Sequence, residues 1–417
     1  MKEYSTFIFD SYNLDPEKGQ IVLRYSLDDE VQFEEIIEIP GRFQIPDSKE
    51  LERALFTLHL FGGISYYKTC CPKNIEIRSG SLDANQVDFW NTVYTKGLGE
   101  FFYENKIDFR KLIQFPTSNA DDQTFTRSTL SRSEHANVST CERVLIPIGG
   151  GKDSFVTLEK LRESDADLTL FRMNSHPLIE EIAKVADLPL LTVERTLAPE
   201  LFELNAQGAL NGHVPITGYL SSLTTVIALL KGYDTVAMSN EKSASEGNVE
   251  YLGSQINHQW SKSEEFEKMF QEYLANYVTQ DVKFINPLRE MTELEIVGEF
   301  VKHKQYLPHF TSCNANWKLS GEKQKDKWCG ACPKCAFAFT LLAAYLPRQQ
   351  VEEIFGGNLF ADESLIPTFK QLLGLEGVKP FECVGTPEET KEAFRMAHEQ
   401  GYLDDTAVMK LYLSSAS

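Results

Sequence analysis

Apolar residues in this chain follow two spacings. From Val144 onward, short apolar runs alternate with stretches in which apolar residues recur every three or four positions. The runs are Val144–Ile148, Leu168–Phe171, Leu190–Val193, Thr235–Met238 and Phe284–Ile285. Between them, Phe155, Leu158 and Leu161 share one helical face, and Leu220, Leu223, Ile227 and Leu230 share another. Runs that are apolar throughout predict strands covered on both sides, hence a parallel sheet between helix layers. In such an α/β sheet, ligands bind beyond the carboxyl ends of the strands. The residues that follow each strand are therefore the first to inspect.

Upstream the pattern reads as α+β. Ile21–Leu27 and Val31–Ile39 predict two strands joined by the acidic turn Asp28-Asp29-Glu30. Leu51, Leu55 and Leu58 predict a helix, as do Phe89, Val93 and Leu98 less strictly. Between them, Gly62-Gly-Ile-Ser-Tyr-Tyr-Lys-Thr69 predicts either a turn that offers Tyr66 and Lys68 to a substrate or a strand with a buried tyrosine pair. Residues 116–141 are rich in Ser, Thr, Asp and Asn and predict a linker or mobile loop. Phe337–Leu346 predicts a core helix, and the chain from Pro347 predicts further helices. The expected units are 1–115 (α+β, substrate-binding), 116–141 (linker), 142–346 (parallel sheet) and 347–417 (helical).

With 417 residues, 42% of them hydrophobic, the chain can bury a sizeable core. No apolar run approaches a membrane span and no signal-peptide pattern opens the chain, so a cytoplasmic location is expected. The 41 basic and 61 acidic residues give a net charge of −20. That balance argues against a nucleic-acid partner, because phosphate binding draws on clustered Lys and Arg. It leaves room for a basic pocket around a small anion. Nothing in the pattern fixes an oligomeric state.

The first parallel strand runs into Gly149, Gly150 and Gly151, then Lys152, Asp153 and Ser154 at a helix start. Glycines let backbone approach a phosphate, and the helix start aims free N–H groups at it. Arg172, Asn174 and His176 follow the second strand, and Ser239-Asn240-Glu241-Lys242 the fourth. His258, Gln259 and Lys262 precede a helix with Phe266, Phe270 and Tyr273 on its apolar side. Ser261 and Glu264 have capping-box spacing there, and so do Thr292 and Glu295 farther on. Cys313, Cys329, Cys332 and Cys335 include two Cys-x-x-Cys spacings, which suit a closed structural zinc site; an iron–sulfur cluster or redox thiols share the spacing. Cys70, Cys71 and Cys141 read as ordinary thiols. Cys383, in Lys379-Pro-Phe-Glu-Cys-Val-Gly385, is either a small core residue or a group that reaches the site.

The glycine loop resembles that of the PP-loop ATP pyrophosphatases, which cleave ATP between its α- and β-phosphates. Gly149 departs from that loop, where a serine is usual, and so removes one hydroxyl contact. The cysteine set is similar to the zinc site of the deazaguanine nitrile synthases. Taken with Ser239–Lys242, Asn257–Ser263, Lys379–Gly385, Gly63–Lys68 and Gly97-Leu-Gly-Glu-Phe101, the set resembles the ATP-dependent UDP-N-acetylmuramoyl-L-alanyl-L-glutamate epimerases over nearly the whole chain. The resemblance implies an adenine nucleotide α-hydrolase-like domain, ATP and Mg²⁺. It also implies a UDP-muramoyl dipeptide whose terminal L-glutamate is activated as an acyl adenylate, epimerised and released with AMP for peptidoglycan synthesis. Gly149, Gly150, Gly151 and Ser154 would then cradle diphosphate, Lys152 would neutralise it and Asp153 would hold Mg²⁺. Arg172, Asn174, Asn240 and Glu241 would meet nucleotide or metal, and Tyr66, Lys68 and Gln259 the substrate. His258 is the first choice of base, with Lys262, Cys383 and Lys68 behind it. Two other readings stay open: adenylation of a nucleobase carboxylate or tRNA base, and an ATP-binding sensor without catalysis.

Overall fold

The computed structural model describes residues 2–41, 43, 48–117, 142–317, 327–401 and 403–416. Most of the expected linker, with Cys141, lies outside the described residues.

The chain opens with the meander β1 (Thr6–Asp15), β2 (Gln20–Leu27) and β3 (Val31–Glu38), then α1 (Lys49–Tyr67) and the short β4 (Asn74–Ile77), followed by α2 (Ala84–Gly97) and α3 (Gly99–Glu104). Alternation then sets in: β5 (Arg143–Pro147), α4 (Lys152–Arg162), β6 (Asp167–Met173), α5 (Pro177–Ala186), β7 (Leu190–Thr196), α6 (Pro199–Ala206), α7 (Ile216–Lys231) and β8 (Thr235–Ala237). A small hairpin, β9 (Val249–Tyr251) and β10 (Ser254–Ile256), precedes α8 (Glu264–Tyr273), β11 (Lys283–Ile285) and α9 (Glu293–Phe300). The rest is helical: α10 (Pro333–Ala343), α11 (Arg348–Phe355), α12 (Ile366–Leu372), α13 (Pro387–Glu399) and α14 (Ala407–Ala416).

Nine strands form one mixed sheet in the order β11-β8-β5-β6-β7-β3-β2-β1-β4. The five apolar runs from Val144 onward are its parallel half, with β5 between β8 and β6. At β7 the sheet turns antiparallel: Ile36, Ile37 and Glu38 pair with Thr196, Arg195 and Glu194. Two apolar layers cover it. Leu145 of β5 joins a core with α1, α2, α7 and α8, while its neighbours Val144 and Ile146 join a second core with α4, α5, α9 and α10. Within the second layer α10 packs against α9, α11, α12 and α13. No helix among the described residues is long and apolar enough to cross a membrane.

Two expectations need correction. Gly62–Tyr67 is neither turn nor strand but the last turns of α1. The glycines serve close packing: a Cβ on Gly62 would lie 2.4 Å from the Tyr25 hydroxyl, and one on Gly63 2.4 Å from Phe9. Likewise Ser263, not Ser261, caps α8, its hydroxyl accepting the Phe266 amide at 3.2 Å. The Thr292–Glu295 capping box forms as expected.

Tyr66 is fully buried. Its hydroxyl donates to Glu35 at 3.0 Å, Tyr219 donates to Glu35 at 2.8 Å, and Arg195 forks onto the same carboxylate with two bonds of 2.9 Å. This network stitches β3, α1, β7 and α7 across the seam between the two halves of the sheet. Glu35→Ala would leave the Arg195 charge buried without its partner, and a loss of about 3–5 kcal/mol in urea unfolding is expected. A loss under about 1 kcal/mol would mean the network adds no net stability.

Candidate active site

A cavity of about 1100 Å³ opens at the carboxyl ends of β5, β6 and β8, where a parallel sheet places its ligands. Gly149, Gly151, Lys152, Asp153 and Ser154 form one wall. Gly150 has φ +82°, a backbone shape that costs an L side chain about 1–2 kcal/mol. Gly151 is the N-cap of α4 and offers no side-chain acceptor, so the first amides of the helix stay available to an anion. The Ser154 hydroxyl donates to the Gly151 carbonyl at 2.9 Å and fixes the bend.

Behind the loop sits a dense group of charges. Lys152 Nζ pairs with Asp153 at 2.6 Å and with Glu293. Burial alone would lower the Lys152 ammonium, but Asp153, Glu293 and Glu241 outweigh it and hold the proton on. Burial pushes Glu293 up to about 8, against the pull of Lys152, and pushes Glu241 up against Lys262. Glu241 is buried, and its Oε2 finds no hydrogen-bond partner among the described residues. A buried carboxylate oxygen left in this way beside Asp153 suits a hard cation, which takes oxygen ligands.

Beside the glycine loop, the Arg172 guanidinium lies over the Trp317 ring, 4.7 Å from its centroid, and both line the cavity. Asn174 lines it too, though its side-chain oxygen accepts the Arg195 amide at 2.7 Å. Asn240 reaches the cavity while its backbone is held by Asn286. His176 does not line it; its ring caps α5 by accepting the Leu178 amide at 3.3 Å.

Lys68, Lys262 and Cys383 all line the cavity, and the last two are in contact. Lys68 Nζ donates to Asn211 Oδ1 at 2.6 Å, and burial lowers the ammonium to about 8. Lys262 Nζ lies 3.6 Å from Cys383 Sγ. His258 and Gln259 stand behind this wall. The Gln259 amide reaches the Val384 carbonyl at 3.5 Å, so the side chain braces the Cys383 loop. Tyr66 also stands outside the cavity, in the network around Glu35. Four groups escape a reading from sequence: Glu293, Lys334, Glu100 and His213. The first two line the cavity, and the other two surround His258.

The four cysteines Cys313, Cys329, Cys332 and Cys335 gather with all sulfurs within 4.8 Å of one another. The separations 313–332, 329–335 and 332–335 are 4.0, 3.6 and 3.4 Å. Tetrahedral zinc with bonds of about 2.3 Å spaces its thiolates by about 3.8 Å, so the set fits that ion. Cys332 also caps α10, its sulfur accepting the Cys335 amide.

Comparison with known proteins agrees along the chain. Residues 1–286 match the family model described as the MurL N-terminal domain, and residues 309–417 the MurL C-terminal domain. A protein of Xanthomonas oryzae pv. oryzae named UDP-N-acetyl-alpha-D-muramoyl-L-alanyl-L-glutamate epimerase is 38% identical over 414 residues, 99% of this chain and 90% of its own length. Proteins of the same name from Salinispora tropica and a Micromonospora species are 36% and 37% identical, over 100% and 98% of this chain and 90% of theirs. With both domain models and these full-length relatives in agreement, the chain belongs to the MurL family.

Proposed function

We propose that this protein uses ATP to epimerise the terminal L-glutamate of UDP-N-acetylmuramoyl-L-alanyl-L-glutamate, a step of peptidoglycan precursor synthesis in the cytoplasm. The observation that carries this reading is one cavity that joins a glycine-loop anion cradle to a wall of exchangeable protons. A cradle alone serves any phosphate ligand, and a wall of Lys68, Lys262 and Cys383 alone serves many acid–base reactions. The relatives' shared name supplies the substrate.

The chemistry explains why both are needed. A carboxylate beside the α-carbon resists formation of a carbanion, because charge would be placed next to charge. In our reading the substrate carboxylate attacks the α-phosphorus of ATP, the bond to diphosphate breaks, and an acyl adenylate forms. The α-proton can then leave, since the electron pair spreads into an uncharged acyl group. A proton returns on the other face, and water releases AMP and the D-glutamyl product. The loop amides and Lys152 stabilise charge on the departing diphosphate, and Arg172 with Trp317 offers a flat surface to the base. Asp153 and Glu241 would hold Mg²⁺, whose charge when bound offsets that of the phosphates. The four cysteines would hold a structural Zn²⁺. This assignment makes the parallel half a PP-loop domain.

The decisive incubation contains the UDP-muramoyl dipeptide ending in L-glutamate, ATP and Mg²⁺ in deuterated water. AMP, diphosphate and D-glutamate carrying α-deuterium are expected after hydrolysis. D-glutamate formed without ATP would refute the activation step. Absence of any AMP would favour a nucleotide sensor.

A further inference from the structure

Glu100, His258 and Cys383 come from three distant parts of the chain and meet at the cavity edge. Cys383 is half-buried and lines the cavity, whereas His258 stands behind it. The His258 Nδ1 bonds Glu100, and the ring and the Cys383 sulfur lie close enough to act on each other's charge. Lys262 Nζ flanks the sulfur at 3.6 Å. The arrangement is braced. Asn248 accepts the His258 amide at 2.9 Å and donates to the Pro380 carbonyl at 2.8 Å, so one side chain ties the histidine to the loop of Cys383.

We propose that Cys383, as a thiolate, is the catalytic residue that exchanges a proton with the substrate α-carbon on one face, with His258 and Glu100 as positioning residues behind it. This rests on the epimerase reading and reverses the order expected from sequence, in which the histidine touches substrate. In the step, the Cα–H bond breaks as an S–H bond forms, and the electron pair stays in the activated acyl group. We assign delivery of the proton to the opposite face to the Lys68 ammonium, because it lines the same cavity and burial makes it a ready donor. Both carriers then re-equilibrate with water. Run in reverse, the thiol gives the proton and Lys68 takes one.

Charge around the sulfur supports this. Burial alone would raise the Cys383 thiol, but Lys262, Lys334 and His258 pull it well below its ordinary value. Burial opposes charge on His258, yet Cys383 and Glu100 lift it to about 9. The groups that face the pair are Lys262 and Lys334 beside the sulfur, Glu100 and His213 beside the ring, and Glu382 near both. Burial, His258 and Lys262 lower His213 to about 3, so it stays neutral and adds no competing charge.

Two measurements on the full chain test the relay. The first is alkylation by iodoacetamide, followed at the Cys383 peptide by mass spectrometry. A rate that changes less than about threefold from pH 6 to pH 8 is expected, whereas an ordinary thiol gains roughly 100-fold over that range. An ordinary profile would overturn the proposal. The second compares α-deuterium incorporation with ATP–diphosphate exchange. In Cys383→Ser the ratio should fall by about 10²-fold or more; an unchanged ratio would overturn the proposal. Glu100→Gln should lower kcat more than it raises KM. It should also move the alkaline limb of the kcat profile to lower pH, because the imidazolium loses an anionic neighbour, and Glu100→Asp should restore part of both. If the native protein shows no dipeptide-dependent exchange, the epimerase reading falls and takes the proposed substrate with it. The alkylation profile still decides whether the thiolate relay exists.

Discussion

Asp153→Asn is expected to reduce dipeptide-dependent AMP formation by at least about 10²–10³-fold, the range seen when one group that stabilises developing charge is removed. The substitution keeps the shape of the side chain and removes its charge. Lys152 then retains Glu293 as its partner, and loss of the Asp153 charge, which helps hold Glu293 up, favours the Glu293 carboxylate. Asparagine keeps an acceptor for Lys152 and relieves repulsion between Asp153 and Glu293, so the change in unfolding free energy should stay within about 2 kcal/mol. Activity and stability therefore separate in this variant. The check is AMP release beside a urea unfolding curve. Turnover close to that of the native protein would remove Asp153 from the proposed Mg²⁺ site.

Loss of the zinc proposed for the four cysteines should act in the opposite way, on stability first. Cys313 and Cys335 are fully buried inside the second core. Cys332 begins α10, the helix around which α9, α11, α12 and α13 pack. Binding energy at such a site is also folding energy, since an unfolded chain holds no preformed tetrahedron. Cys335→Ser should cost more than about 4 kcal/mol, the level at which single substitutions break a defined structural element. A strong chelator should produce a similar loss, with faster amide exchange across 327–401. One zinc per chain is expected by elemental analysis. A metal-free chain of undiminished stability would show that the four thiols need no ion.

Legibility in the sequence followed the range of the interactions. The five parallel strands could be read because strands buried on both faces are apolar throughout, whatever their order in the sheet. The Thr292–Glu295 box and the Cys-x-x-Cys spacings are equally local. β1 escaped because Asp10, Ser11 and Asn13 break its apolar run, and its register shifts between Phe9 and Ser11. The Gly62-Gly63 pair suggested a turn because a sequence cannot show Tyr25 and Phe9 pressing against the helix. Glu293 was masked by its own context, since a capping box marks a helix start whether or not its first residue faces a ligand. Glu100 lay within a recognisable segment, but nothing local links it to His258, 158 positions away. The glycine loop was readable because its cradle is built from consecutive residues. The wall proposed to carry protons offers its residues singly, and their joining is not local, because Lys68, Lys262 and Cys383 come from three separate segments.

The seam at β7 has a consequence for how the protein is made. Glu35 and Arg195 are 160 residues apart in sequence, and the strands that carry them are neighbours in the sheet. A nascent chain must therefore keep β3 without its final partner until β7 leaves the ribosome. Any version shortened to begin at β5 would emerge with the β7 flank bare, presenting an open row of amides and carbonyls to other chains. The parallel half is then safe from self-association only when its amino-terminal third is already in place.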